Sequence, residues 1–142
     1  MRRIFVFCIP ILMAQTAPTP LVPEGIHNLA AEQPHLCGFT AANVGALERQ
    51  ITADPSFREE NSTDRYRVFN RDQDFVQFAF PRPGFLNFPM ATCIKVSPAP
   101  DGTSSINREL HCGGTRHECD RIFIEWNDHD TQVRQGLESQ RQ

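Results

Sequence analysis

Cys112 and Cys119 lie close together in the chain, with His111 and His117 beside them. Thiols and imidazoles in that arrangement suit either a metal ion or a disulfide. Zinc sites set two ligands two to four residues apart in a tight knuckle and add a distant second pair. Cys112 and Cys119 are too far apart for a knuckle. If the stretch from Gly113 to Glu118 is the turn of a hairpin, it brings the two sulfurs together. Closing so short a loop stabilises by about 2–3 kcal/mol in the chain-entropy model. Four cysteines allow three pairings. With Cys112–Cys119 as the local clasp, Cys37 and Cys93 pair by default. The competing use of His111, Cys112, His117 and Cys119 is a metal site, which oxidation of the thiols opposes. The even count after the leader and the lack of a Cys-x-x-Cys pair argue against a catalytic thiol. No metal and no cofactor are expected.

Acid–base chemistry has one candidate, Asp128-His129-Asp130, where carboxylates flank an imidazole. No nucleophile motif accompanies it: Gly-x-Ser-x-Gly, His-Glu-x-x-His and a Gly-rich phosphate loop are all missing. Asp72 with Asp74, and Glu59 with Glu60, are paired carboxylates of the kind glycosidic chemistry needs. Pairs so close together in polar turns are ordinarily solvated charge. No catalytic residue is assigned, and the chain is expected not to be an enzyme. The alternative is a small hydrolase using His129 or His117 with a neighbouring acid.

The other unusual segment is Phe80-Pro81-Arg82-Pro83-Gly84-Phe85-Leu86-Asn87-Phe88-Pro89-Met90. Its prolines stiffen a loop between two strands, so presenting side chains costs less entropy. Arg82, Phe85 and Phe88 are the candidate contact residues for a protein or sugar partner. The alternative is that Phe85, Leu86 and Phe88 fold back and cap the core. The stretch from Phe75 to Val96 resembles a group of small secreted bacterial proteins of unknown function. In those an aromatic strand leads into a Pro-Gly-His-Pro-x-His-Pro-like turn and a second apolar strand. Pro83, Gly84 and Pro89 match that turn; Phe85 and Phe88 replace its histidines, and Leu86 replaces a proline. Any metal or proton chemistry of those histidines is therefore not carried over.

The elements that must position these residues begin with a leader. Arg2 and Arg3 precede an apolar run from Ile4 to Met13, long enough for a signal peptide and too short to span a bilayer. Phe7 before Cys8 is too large for a lipoprotein cleavage site. Cleavage near Ala14 makes 1–14 the signal peptide and sends the product to the periplasm or the medium. Residues 15–36 form a Pro-rich extended arm, 37–130 a single domain, and 131–142 a polar C-terminal tail, helical or frayed. Without Arg2 and Arg3 the chain carries 12 basic and 17 acidic residues, against 14 and 17 in full, so −3 becomes −5. That balance gives no electrostatic basis for nucleic acid or an anionic membrane. Lys95 is the only lysine, a bias towards arginine that suggests a bacterial, GC-rich source. Asn61-Ser62-Thr63 fits the glycosylation pattern but reads here as a polar loop.

Within the domain, Val44, Leu47 and Ile51 recur at helical spacing after a candidate cap at Thr40. The period then changes to two. Strands are expected at Arg65–Phe69, Phe75–Phe80, Met90–Val96, Ile106–Cys112 and Cys119–Trp126, separated by turn residues. The predicted fold is α+β: one N-terminal helix packed on an antiparallel sheet of about five strands in a hairpin meander. The expected function is that of a secreted or periplasmic, disulfide-stabilised binding or accessory protein. Its partner would be another envelope protein or a saccharide. A structural envelope component is a further alternative.

Overall fold

The computed structural model describes residues 33–139. The expected leader at 1–14, the arm as far as residue 32 and the last residues, 140–142, lie outside this range. Alternating side chains build an antiparallel meander of β3 (Arg58–Glu59), β4 (Tyr66–Arg71), β5 (Val76–Pro81), β6 (Met90–Pro98) and β7 (Ser104–Cys112). The strands lie side by side in chain order. A small hairpin, β1 (His35–Leu36) and β2 (Phe39–Thr40), and helix α1 (Val44–Ala53) precede the sheet; helix α2 (Arg116–Ser139) follows it.

Because strand side chains alternate, the sheet has two distinct faces. One carries Phe69, Val76, Phe78, Phe80, Ala91 and Cys93, buried under Leu36, Val44, Leu47, Ile51 and Phe57. The other carries Tyr66, Val68, Ala79, Met90 and Cys112, buried under Ile122 and Trp126 of α2. The molecule is thus three layers, with helical cover on both sides of the sheet.

This corrects the expectation of one N-terminal helix as the sheet's helical partner. The segment Cys119–Trp126 is not a strand but lies within α2. Ile122 and Trp126 are four residues apart, a spacing that fits one face of a helix as well as one face of a strand. Both are buried, whereas Ile124, which only the strand pattern would bury, is 60% exposed. Thr115 and Glu118 form a capping box: the Glu118 carboxylate accepts from the Thr115 backbone N–H at 2.8 Å, and Thr115 Oγ1 accepts from the Glu118 N–H at 3.3 Å. The fifth strand of the sheet is instead β3, whose two residues include Glu59 of the carboxylate pair expected in a polar turn. Thr40 is not a helix cap. It belongs to β2 and hydrogen-bonds His35, and the N-cap of α1 is Asn43, whose side chain accepts from the Ala46 N–H.

Both disulfides are present, Cys37–Cys93 and Cys112–Cys119. The second closes not a hairpin but the junction between β7 and α2. Gly114 lies there because a Cβ at that position would meet the Phe88 ring at 2.9 Å. Cys37 and Gly38 form the tight turn of the first hairpin, both at positive φ (49° and 85°), as a two-residue primed turn requires. The Cys37 N–H donates to the Glu109 carboxylate at 2.6 Å. Among the described residues, no helix is long and apolar enough to cross a membrane.

Candidate functional site

The buried stripe of α2 continues from Ile122 and Trp126 to Asp130, which is a carboxylate. Asp130 meets Arg108 of β7 in a two-bonded ion pair, Nε to Oδ2 at 2.7 Å and Nη2 to Oδ1 at 2.6 Å. The two side chains are only 8% and 7% exposed. Arg108 also donates to Thr92 Oγ1 at 2.9 Å, and its guanidinium lies 4.4 Å from the Trp126 ring centroid. A buried ion pair survives desolvation only with such additional partners. It fixes the rotation of α2 on the sheet and thereby orients Trp126 and His129.

On the other side of Trp126 lies a recess of about 270 Å³. Its floor is Tyr66, Val68 and Trp126; its walls are Gln77, Arg65, Glu125 and His129, with Asn61, Thr63 and Asp64 from the preceding loop. Tyr66 and Trp126 meet edge to face at 5.0 Å, and His129 meets Trp126 in the same way at 5.4 Å. Arg65 donates to Glu125 at 2.8 Å across the rim. Thr63 Oγ1 accepts from the backbone N–H groups of Arg65 and Tyr66, so it shapes the turn.

Two buried atoms belong to residues that line this recess. Among the described residues, the buried side-chain polar atoms without a hydrogen-bond partner are Tyr66 Oη and Trp126 Nε1. The residues themselves are only 5% and 6% exposed. A buried donor left unpaired costs about 1–3 kcal/mol, so native structures seldom retain one without a use. Burial pushes the Tyr66 phenol up to about 12, with the Glu125 carboxylate adding to the rise. The Arg65 charge and the Trp126 indole N–H, which lies near the phenol oxygen but outside good hydrogen-bond geometry, act in the opposite direction and only partly offset it. The phenol therefore stays protonated, and both ring groups remain donors at neutral pH.

The Phe-Pro loop buttresses this site. Phe85 packs edge to face on Tyr66 at 5.2 Å, and the Arg65 guanidinium covers Phe85 at 4.5 Å. Arg82 Nε donates to the Thr63 carbonyl at 2.6 Å, and the Arg82 N–H donates to the Arg65 carbonyl at 2.8 Å. Phe88 is turned towards Gly114. Phe85, Leu86 and Phe88 are partly buried against the α2-side core.

Of the other candidate residues, His129 stands at the rim of the recess with its side chain 48% exposed and its Nδ1 3.7 Å from Asp130, and Asp128 and His117 are exposed as well. His111 lines a separate hollow beside the Cys112–Cys119 bridge, with His35, Asp120 and Phe123. The Cys112 and Cys119 sulfurs are bonded to each other, so neither is available as a thiolate. The paired carboxylates are engaged by arginines: Glu59 with Arg67, Glu60 and Asp72 with Arg58, and Asp74 with Arg71. Tyr66, Arg65 and Arg108 were not singled out by sequence reasoning. Their one signal is position, since Tyr66 and Arg108 fall on the same face of alternating strands as the buried Val68 and Cys112. Comparison with protein-family models, with curated proteins and with solved structures finds no match.

Proposed function

We propose that this is a secreted or periplasmic binding protein, non-enzymatic and held together by its two disulfides, that takes a ligand in the Tyr66–Trp126 recess. The observation that carries this reading is the recess itself, about 270 Å³, lined by the apolar Tyr66, Val68 and Trp126 and rimmed by Arg65, Glu125 and His129. Ligand sites characteristically combine an apolar lining with a few fixed polar groups. Arg82 and Phe85 contribute as the wall behind the recess, and Phe88 holds the loop against α2. The ligand would come from another envelope protein or from a saccharide.

Trp126 is the single tryptophan of the chain, so its fluorescence reports directly on the site. Titrating the protein with fractions of culture medium and envelope extract should give a fraction that shifts this emission. A Gln77→Phe variant, which fills the recess, should lose the shift. An unchanged shift in that variant would place binding elsewhere, and no shift from any fraction would remove the recess as a site. A hydrolase is the second reading, favoured by His129 at the rim with Asp64 and Glu125. It would be sustained by turnover of an ester or peptide that His129→Ala abolishes, and dismissed if turnover survived that change.

A further inference from the structure

The two edges of the sheet are built differently. At one edge β3 is two residues long and both are charged, with Arg58 bonded to Glu60 and Asp72. Short length and charge are the usual protection of an edge against pairing with another chain. At the other edge β7 runs for nine residues. Its inner part lies beside the first hairpin, where the Cys37 N–H reaches the Glu109 carboxylate. Its outer part, Ser104-Ser105-Ile106-Asn107, carries neither charge nor proline. Ser104, Ser105 and Asn107 are exposed, and Ile106 is half-buried.

The ladder decides which backbone groups this edge offers. Alternate residues of an antiparallel strand turn their N–H and C=O to opposite sides. The Val96 N–H donates to the Phe75 carbonyl at 3.0 Å, so Val96 is turned towards β5. Its register partner Ile106 is then turned away from β6, as are Ser104 and Arg108. Among the described residues, none bonds the outward backbone groups of Ser104, Ile106 or Arg108. Side chains follow the same parity. Val96 stands opposite Ile106, and Phe75 stands opposite Val96, one step beyond the Val76–Lys95 pair. Phe75, Val96 and Ile106 thus form one apolar row across the sheet on its α2 face, and the row stops at the open edge.

We propose that β7 pairs antiparallel with β7 of a second copy of this chain, about a two-fold axis at Ile106. Such an axis stands perpendicular to the sheet and keeps the faces of both copies aligned, so residues that meet must share a face. Centring on Ile106 meets that condition. Ile106 exchanges both backbone hydrogen bonds with Ile106 of the second copy, and Ser104 exchanges with its Arg108. The two apolar rows join end to end. On the α1 face Ser105 meets Asn107, a neutral polar pair, and no like charges oppose each other between Ser104 and Arg108. Centring on Ser105 would set Ile106 against Ser104 and break the row. Centring on Asn107 would set Ile106 against Arg108 and drive the strand into the first hairpin. The contact is isologous and closes at two copies. The joined sheet then ends on both sides in the short, charged β3.

Sedimentation of the purified protein across a concentration series should show a monomer–dimer equilibrium, with the Ile106 and Ser104 amides slowing in hydrogen exchange as the dimer fills. Ile106→Lys sets two like charges against each other on the axis. It should weaken the dimer about tenfold or more. Ser105→Lys/Asn107→Glu, at two exposed positions, sets opposite charges across the contact only in this register, and should tighten the dimer several-fold. A monomer at every concentration would overturn the pairing. So would a dimer that Ile106→Lys leaves unchanged. If Ile106→Lys lowers the melting temperature sharply, the double variant decides alone: a tighter dimer sustains the register, and an equal or weaker one overturns it. Growth beyond two copies would overturn the two-fold closure. A monomer whose Ile106 amide slows only when envelope extract is added would give the edge to another chain's strand and overturn the second copy as its partner.

Discussion

The two faces of the sheet are built from different chemistry. The face under α1 and the first hairpin is closed and aromatic. Phe39, Phe57 and Phe78 meet edge to face at 5.5–5.8 Å, Phe69 meets Phe80 in the same way, and Phe78 stacks on Phe80. Arginines lie over its margin, Arg67 on Phe69 and Arg71 on Phe39 and Phe57, and Cys37–Cys93 ties the hairpin to its centre. The face under α2 has fewer apolar residues, a buried ion pair and two unpartnered donors. A face that only had to stabilise the fold would satisfy or omit those polar groups. The contrast places the denser aromatic packing on one face, and it is the other face to which the proposal above gives recognition.

The comparison can be broken most severely at its centre. Phe78→Ala on the closed face should cost about 3–5 kcal/mol, because it removes a fully buried ring and leaves a cavity. A chemical-denaturation series would check this, and a loss below about 1 kcal/mol would show that the closed face is not the stabilising one.

On the α2 face the expected effect is similar but of another origin. Asp130→Ala strands the Arg108 cation and should cost about 3 kcal/mol or more. The double change Arg108→Met/Asp130→Leu should recover most of that loss, since replacing both partners with apolar groups is often neutral. A double variant as unstable as the single would mean that the pair itself, not the desolvated orphan charge, supplies the stability.

The smallest effect is acid. The Arg71 guanidinium holds Asp74 below its ordinary 3.8, and Arg67 holds Glu59 below its ordinary 4.5. Both pairs border the closed face. A carboxylate whose value is lowered on folding stabilises above its unfolded value and loses that contribution as pH falls through the folded one. Both pairs are substantially solvated, so each contributes at most about 1 kcal/mol. Melting temperature should therefore change little between pH 7 and 5 on their account and fall below about pH 4. Asp74→Asn with Glu59→Gln should shrink that fall, and an unchanged pH profile in the double variant would remove these pairs as its source.

Much of the sheet was legible in the chain. Period-two patterns at Arg65–Phe69, Phe75–Phe80, Met90–Val96 and Ile106–Cys112 fall within or overlap β4 to β7 and come from local chemistry, because alternation is forced wherever a strand is covered on its faces. The cysteine pairing was legible too, since one pair is close in sequence and only two sulfurs then remain. The second helix also had its signal. Thr115-x-x-Glu118 is a capping box, and Cys119, Ile122, Trp126, Asp130 and Val133 follow a helical stripe. The stripe was obscured because Ile122, Ile124 and Trp126 also alternate, and because its fourth member is a carboxylate.

What the sequence by itself determined is therefore which residues alternate, which cysteines can meet, and where turns must fall, since all of these depend on neighbours along the chain. Only the tertiary structure decided that Asp130 would be buried against Arg108, that Phe85 would support Tyr66, and that Tyr66 and Trp126 would share an unpaired hollow. Those relations join residues 19 to 60 positions apart, and their energies exist only after the chain has folded and excluded water from both partners.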